Sequence, residues 1–116
     1  SGTGDYTPAN NVFFSNHYCA SDENIKEITK KYNEKYGKEP TSFAALAYDA
    51  VMMAAKAMEN AKSTDKALVK DALQKLEYKG GLTGDIKFNE QGDPIKTICI
   101  CEYKDGEMVL KQRYVK

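Results

Sequence analysis

From residue 39 to residue 61 the chain reads EPTSFAALAYDAVMMAAKAMENA, and Phe43, Leu46, Tyr48, Val51, Met52, Met53, Ala55 and Met58 cover every angle of a 3.6-residue helix. An ordinary surface helix keeps one side polar, so this one must be covered on most of its circumference. The remaining chain looks thin for that task, which suggests a piece of something larger. Before it, residues 12–14 form a short apolar run that predicts a buried strand, and residues 16–20 a loop. Ser21 then offers an N-cap hydroxyl with Asp22 and Glu23 behind it, and Ile25, Ile28, Tyr32 and Tyr36 recur at helical steps until Gly37.

Thr41, after Pro40, caps the apolar helix, which is expected to run to about Lys62. Ser63 or Thr64 caps a third helix with Leu68, Val69, Ala72, Leu73 and Leu76 on its buried face and Gly80-Gly81 at its end. Past Leu82 the period changes to two. Ile86 and Phe88 alternate with Asp85 and Lys87 in a short strand, and residues 89–93 turn before Pro94. Residues 98–103 and 108–115 read as two strands joined at Asp105-Gly106 by a type I′ turn. That register sets Tyr103 against Met108 and Cys101 against Leu110, with Ile98 and Ile100 facing Arg113 and Lys111. Residues 1–11, rich in Gly, Thr, Asn and Pro, read as a flexible lead-in or a remnant of cloning.

The 116 residues suit one domain, and 17 basic against 17 acidic side chains leave no net charge. With no basic patch interleaved with aromatics, a nucleic-acid partner is not expected. The opening residues carry no signal-peptide pattern, and no apolar run reaches transmembrane length. Cys19, Cys99 and Cys101 are an odd set in which a bridge from Cys19 to either of the others is open, with small apolar packing the plainer role. The count does not decide the redox compartment.

His17 beside Cys19 invites a nucleophile-and-base reading, or a metal site with Asp22 and Glu23, but no orienting third group accompanies them. Hydrogen bonding within a loop is the plainer account. The segment GGLTGDIKFNEQGD has neither the GK[ST] of a phosphate loop nor the alternating oxygen ligands of an EF-hand. Its glycines read as turn and strand-bend residues. The lysines of the first helix alternate with acids, Glu27 to Lys31 and Glu34 to Lys38 each at a four-residue step, as a solvated face does. No catalytic residue, metal or cofactor is expected.

FFSNHY at residues 13–18, the YG-x-EP turn at 36–40, AALAYDAV at 44–51 and GLTGDIKFNEQGD at 81–93 together resemble the C-terminal portion of type I periplasmic binding proteins. Among these the pattern is most similar to the branched-chain amino acid group of ABC importers. The resemblance implies an α/β fold of two lobes joined by three crossings, with the ligand between them. In isolation the fragment would be α+β, three helices followed by a C-terminal β-hairpin. Residues 12–19 and 97–116 would be second-lobe strands, and residues 20–96 first-lobe helices with a short strand.

The apolar helix would lie against a parallel sheet outside this chain. Alone, the chain would hide that face by self-association as a homodimer, by rearranging its helices, or as a cleaved fragment still packed with its kind. By resemblance, Phe43 at the helix start and Tyr18 in a crossing loop are the expected ligand contacts, each with an alternative as plain packing or hinge. The implied partners are a small amino acid and a membrane permease, and the implied location is extracytoplasmic, in the periplasm or as a cell-surface lipoprotein. A ligand-sensing domain of a receptor or regulator with the same fold is the alternative.

Overall fold

The structure, a computed structural model, describes residues 4–114. Ser1 to Thr3 of the expected lead-in, and Val115 at the expected end of the last strand, lie outside the described residues. Strand β1 (Phe13–Asn16) leads through a turn of 3-10 helix at Glu23–Ile25 into α1 (Lys26–Tyr36), followed by α2 (Ser42–Ala61) and α3 (Lys66–Gln74). Strands β2 (Tyr78–Gly81), β3 (Gly84–Phe88), β4 (Pro94–Lys96), β5 (Ile98–Lys104) and β6 (Glu107–Tyr114) complete the chain. They form two antiparallel three-stranded sheets, ordered β1-β5-β6 and β2-β3-β4. β4 and β5 are separated only by Thr97, so one extended segment passes from one sheet to the other.

The helix boundaries follow local chemistry. Thr41 caps α2 through its hydroxyl, which accepts the Ala44 N–H at 3.3 Å. Gly37 ends α1 in the left-handed region at φ +67°, its N–H donating to the Asn33 carbonyl. Two expected caps are corrected. Ser21 does not cap α1; its hydroxyl accepts the Leu110 N–H at 3.0 Å, tying the loop to β6. The cap of α3 is Asp65, whose carboxylate reaches the N–H groups of both Ala67 and Leu68.

α3 also ends earlier than expected. Gly80 and Gly81 belong to β2, in which Tyr78 pairs with Ile86 and Gly81 with Gly84. Leu68, placed on the buried face, is 52% exposed. Among the surface pairs Glu27 meets Lys31 at 2.7 Å, while Glu34 meets Lys30, because Lys38 lies beyond the Gly37 stop.

α2 buries a single stripe, Ala45, Asp49, Met53 and Ala57, at four-residue steps. The upper part of the stripe packs with Tyr18 and Ile25, and the lower with Leu76 and Ile86. Its remaining apolar surface is open: Phe43, Tyr48, Val51, Met52 and Met58 are all exposed. The stripe contains a carboxylate. Asp49 is 1% exposed and accepts the Leu82 N–H at 2.8 Å, the Thr83 N–H at 2.8 Å and the Thr83 hydroxyl at 2.7 Å. The turn between β2 and β3 is thus built around the α2 carboxylate. A methyl on Gly81 would meet the Gly84 carbonyl at 2.8 Å and Asp49 Oδ1 at 3.0 Å, which explains one glycine of the GGLTG run.

The hairpin keeps the expected pairs Tyr103 with Met108 and Cys101 with Leu110, and both Asp105 and Gly106 have positive φ, as a type I′ turn requires. Beyond them the register shifts: Ile100 pairs with Gln112 and Ile98 with Tyr114, not with Lys111 and Arg113. An extra residue on β6 opposite the Ile100/Cys101 step makes a bulge there. β1 begins one residue later than expected and lies at a sheet edge, leaving Phe13 exposed rather than buried.

Order also begins earlier than Val12. Thr7–Ala9 is a 3-10 turn, the Tyr6 ring stacks on Tyr103 at 4.8 Å, and the Asn10 side chain accepts the Asp105 N–H at 3.0 Å. The aromatic and amide side chains of this segment have partners on the hairpin that no local periodicity could signal.

Replacing Asp49 with Ala strands two backbone N–H groups and a hydroxyl in the core. Urea unfolding of the intact protein is expected to show a loss of about 3 kcal/mol, whereas Lys30→Ala on the charged face of α1, its side chain 76% exposed, is expected to leave the midpoint nearly unchanged.

Candidate functional site

The start of α2 is held against the end of β1. Asn16 Oδ1 accepts the Ser42 hydroxyl at 3.1 Å and the His17 N–H at 2.9 Å, and the Asn16 amide reaches Met108 Sδ at 3.8 Å. This arrangement sets Phe43, one residue into the helix, next to the residue that ties α2 to the end of β1. Phe43 is 74% exposed, the most open of the large apolar side chains among the described residues.

Tyr18 takes a different place. It is 2% exposed and packs with Ile25 and Ala45, its hydroxyl 3.4 Å from Thr29 Oγ1. In this conformation the ring is covered by its own chain. The structure does not bring Phe43 and Tyr18 together on one open surface. Burial pushes the Tyr18 phenol above its ordinary value, against the opposing hydrogen bond with Thr29.

His17 is exposed while Cys19 is buried with Cys99 and Cys101. Asp22 is engaged by Arg113 and Glu23 by Lys26. The four groups therefore do not converge, and among the described residues no three His, Cys, Asp or Glu side chains are placed to share a metal ion.

A cavity of about 390 Å³ opens at the crossing between the sheets, walled by Asp22 and Arg113 on one side and by Leu82, Thr83 and Thr97 on the other. Gly84, at φ +91°, lies so close to Thr97 that a methyl group there would meet its Cβ at 2.7 Å. Lys96, beside the crossing, donates to Thr83 Oγ1 at 2.7 Å and so completes a chain from Asp49 through Thr83 to an ammonium. Burial lowers the Lys96 pKa, and the nearby Asp49 charge opposes the shift. Sequence reasoning missed this chain. Its only signal was one acid inside an apolar helix, a residue that cannot be buried without partners.

Two small sheets bridged by an extended segment, with helices between them, define an α/β binding-protein fragment. A family model described as periplasmic binding protein matches residues 3–107, and the chain belongs to that family. Similar solved structures carry the same topology. A leucine-binding protein from Thermotoga maritima is 33% identical with TM-score 0.76, over 92% of this chain and 31% of that one. An ABC transporter substrate-binding protein from Desulfitobacterium hafniense, solved in complex with Leu, is 27% identical with TM-score 0.79, over 92% and 33%. A branched-chain amino acid transporter substrate-binding protein from Streptococcus pneumoniae, solved with isoleucine, is 28% identical with TM-score 0.69, over 95% and 31%. The chain thus spans about a third of the length of these structures. No match was found among curated proteins.

Because the folded state holds the Tyr18 proton more tightly than the unfolded chain, stability is expected to be full below pH about 10 and to fall as pH rises above that value. Urea midpoints measured across the alkaline range should show this decline in the intact protein, with a shallower slope for Tyr18→Phe.

Proposed function

We propose that, in an intact protein of the relatives' length, this segment forms part of a cleft that takes a branched-chain or related small aliphatic amino acid for an ABC importer. The observation that carries the reading is Phe43: an exposed ring at the start of α2, beside the Ser42 that bonds the end of β1, in a chain 33% identical to a leucine-binding protein. In this reading the β1-β5-β6 sheet belongs to one lobe and the helices with β2-β3-β4 to the other. The segments at residues 17–22 and at Thr97 are two crossings between them. The open apolar face of α2 is the seat of a sheet supplied by the rest of the protein.

The division of labour follows from the side chains. A free amino acid needs polar partners for its ammonium and carboxylate and a dry surface for its side chain. Phe43 supplies the dry surface, and the charged ends are met by groups outside this segment. Closure of the lobes buries ligand and ring together, and the closed form is the one that docks on a membrane permease outside the cytoplasm. No bond is made or broken.

Calorimetric titration of the intact protein is expected to show micromolar binding of leucine, isoleucine or valine. Phe43→Ala should weaken it about tenfold or more, from the lost apolar burial, while the melting temperature without ligand stays unchanged. The 116 residues alone are expected not to bind. Micromolar affinity in that fragment, or full affinity in Phe43→Ala, would overturn the reading.

A further inference from the structure

Three thiols meet beneath the β1-β5-β6 sheet without being bonded to one another. Cys19, Cys99 and Cys101 are 1%, 6% and 0% exposed and pack with Phe14, Met108 and Leu110. They reach this place from two parts of the chain, Cys19 from the loop after β1 and the others from β5.

Hydrogen bonds seat Cys19 over one stretch of β6. Its Sγ lies 3.1 Å from Ser21 Oγ and 3.8 Å from the Met108 carbonyl oxygen, and Ser21 Oγ in turn accepts the Leu110 N–H. The β5 partners of Met108 and Leu110 are Tyr103 and Cys101, and Cys101 is also the partner of Phe14 on the neighbouring strand. Cys99 pairs farther along, with Arg113 and Asn16. One β6 anchor of Cys19, Leu110, is thus the direct partner of Cys101, and neither anchor is opposite Cys99.

We propose that Cys19 and Cys101 form a disulfide when the protein folds in the presence of a small-molecule disulfide or a disulfide oxidoreductase, with Cys99 left as the thiol. In the exchange one cysteine thiolate attacks a sulfur of the oxidant and a thiolate leaves. The second cysteine thiolate then attacks the resulting mixed disulfide and expels the other half of the oxidant. Two cysteine S–H bonds become one S–S bond, and the oxidant's S–S bond becomes two S–H groups.

Timing follows from burial. Once the core closes, desolvation and the neighbouring Cys19 thiol push the Cys101 thiol up to about 12, which leaves almost no thiolate to react. Exchange therefore belongs to the folding chain, before the thiols are covered. The bridge would clamp the loop after β1 to the centre of β5, and α1, α2, α3 and the whole β2-β3-β4 sheet would lie within the closed loop. This inference is independent of the ligand.

The intact protein, reduced and unfolded, is refolded with a mixture of oxidised and reduced glutathione, alkylated and mapped by peptide mass spectrometry. The expected result is loss of two of the three free thiols, a peptide pair joining Cys19 to Cys101, and alkylation at Cys99. Cys99→Val should keep the pair and Cys19→Ser abolish it, with circular dichroism confirming that each variant refolds. Alkylation of all three thiols in the refolded wild-type protein would overturn the proposal, as would a dominant bridge from Cys19 to Cys99.

Discussion

A carboxylate withdrawn from water in the middle of an apolar helix must find its partners within the protein, and at Asp49 these are two backbone N–H groups and a hydroxyl of the Leu82–Thr83 turn. The interaction joins parts of the chain more than thirty residues apart and allows little freedom in either. Gly81 must lack a side chain for the turn to close around the carboxylate, and Gly84 must lack one for Thr97 to pass. Thr97 carries the chain from β4 into β5, so the position of α2 reaches the hairpin through a short series of close contacts. Lys96 adds an ammonium to the same chain through Thr83, which places a cation near a buried anion.

That anchor also decides what α2 leaves open. One helix can present only one stripe to a given neighbour, and the stripe that carries Asp49 is taken by the turn, α3 and the small sheet. The opposite face, with Val51 at 68% exposure, has the composition of a core and the surroundings of a surface. In a chain that spans a third of the length of its structural relatives, this is the expected mark of a layer supplied by other sequence. The three helices, their order and the closing hairpin are those of that larger architecture, and the local hydrogen bonds are satisfied without it. Among the described residues every buried side-chain nitrogen and oxygen has a partner.

The elements legible in the sequence were those specified by local chemistry. The Thr41 cap, the Gly37 stop and the positive-φ pair Asp105-Gly106 act over a few residues, and each was found in place. What escaped depended on distant partners. Ser21 looks like a cap in isolation, yet Leu110 competes for its hydroxyl from the other end of the chain. The β6 bulge leaves no mark in the alternation of side chains, and β2 hides at a glycine pair that looks like a helix stop. The same reason governs the candidate site. The place of Phe43 on the first turn of α2 follows from the Thr41 cap, whereas the Asp49 chain becomes visible only when a turn thirty residues later is folded onto it.

Tyr18 and Phe43 show how the same kind of residue acquires opposite surroundings in one fold. Tyr18 lies in the loop after β1, and Phe43 on the helix start that Ser42 ties to the end of that strand. Tyr18 lies on the chain that makes the crossing, where backbone direction turns the ring inward against Ile25 and Ala45, and its hydroxyl has Thr29 to satisfy it. Phe43 lies on the first turn of a helix whose inward positions are Ala45 and Asp49, so its ring points away from the packed stripe. Phe43 has no polar atom to satisfy, and the fold gives it no cover. A group that costs free energy when hydrated and has no partner within the fragment gains most when something apolar closes over it. That asymmetry, rather than aromatic character alone, separates the ring the fold covers from the ring it leaves open.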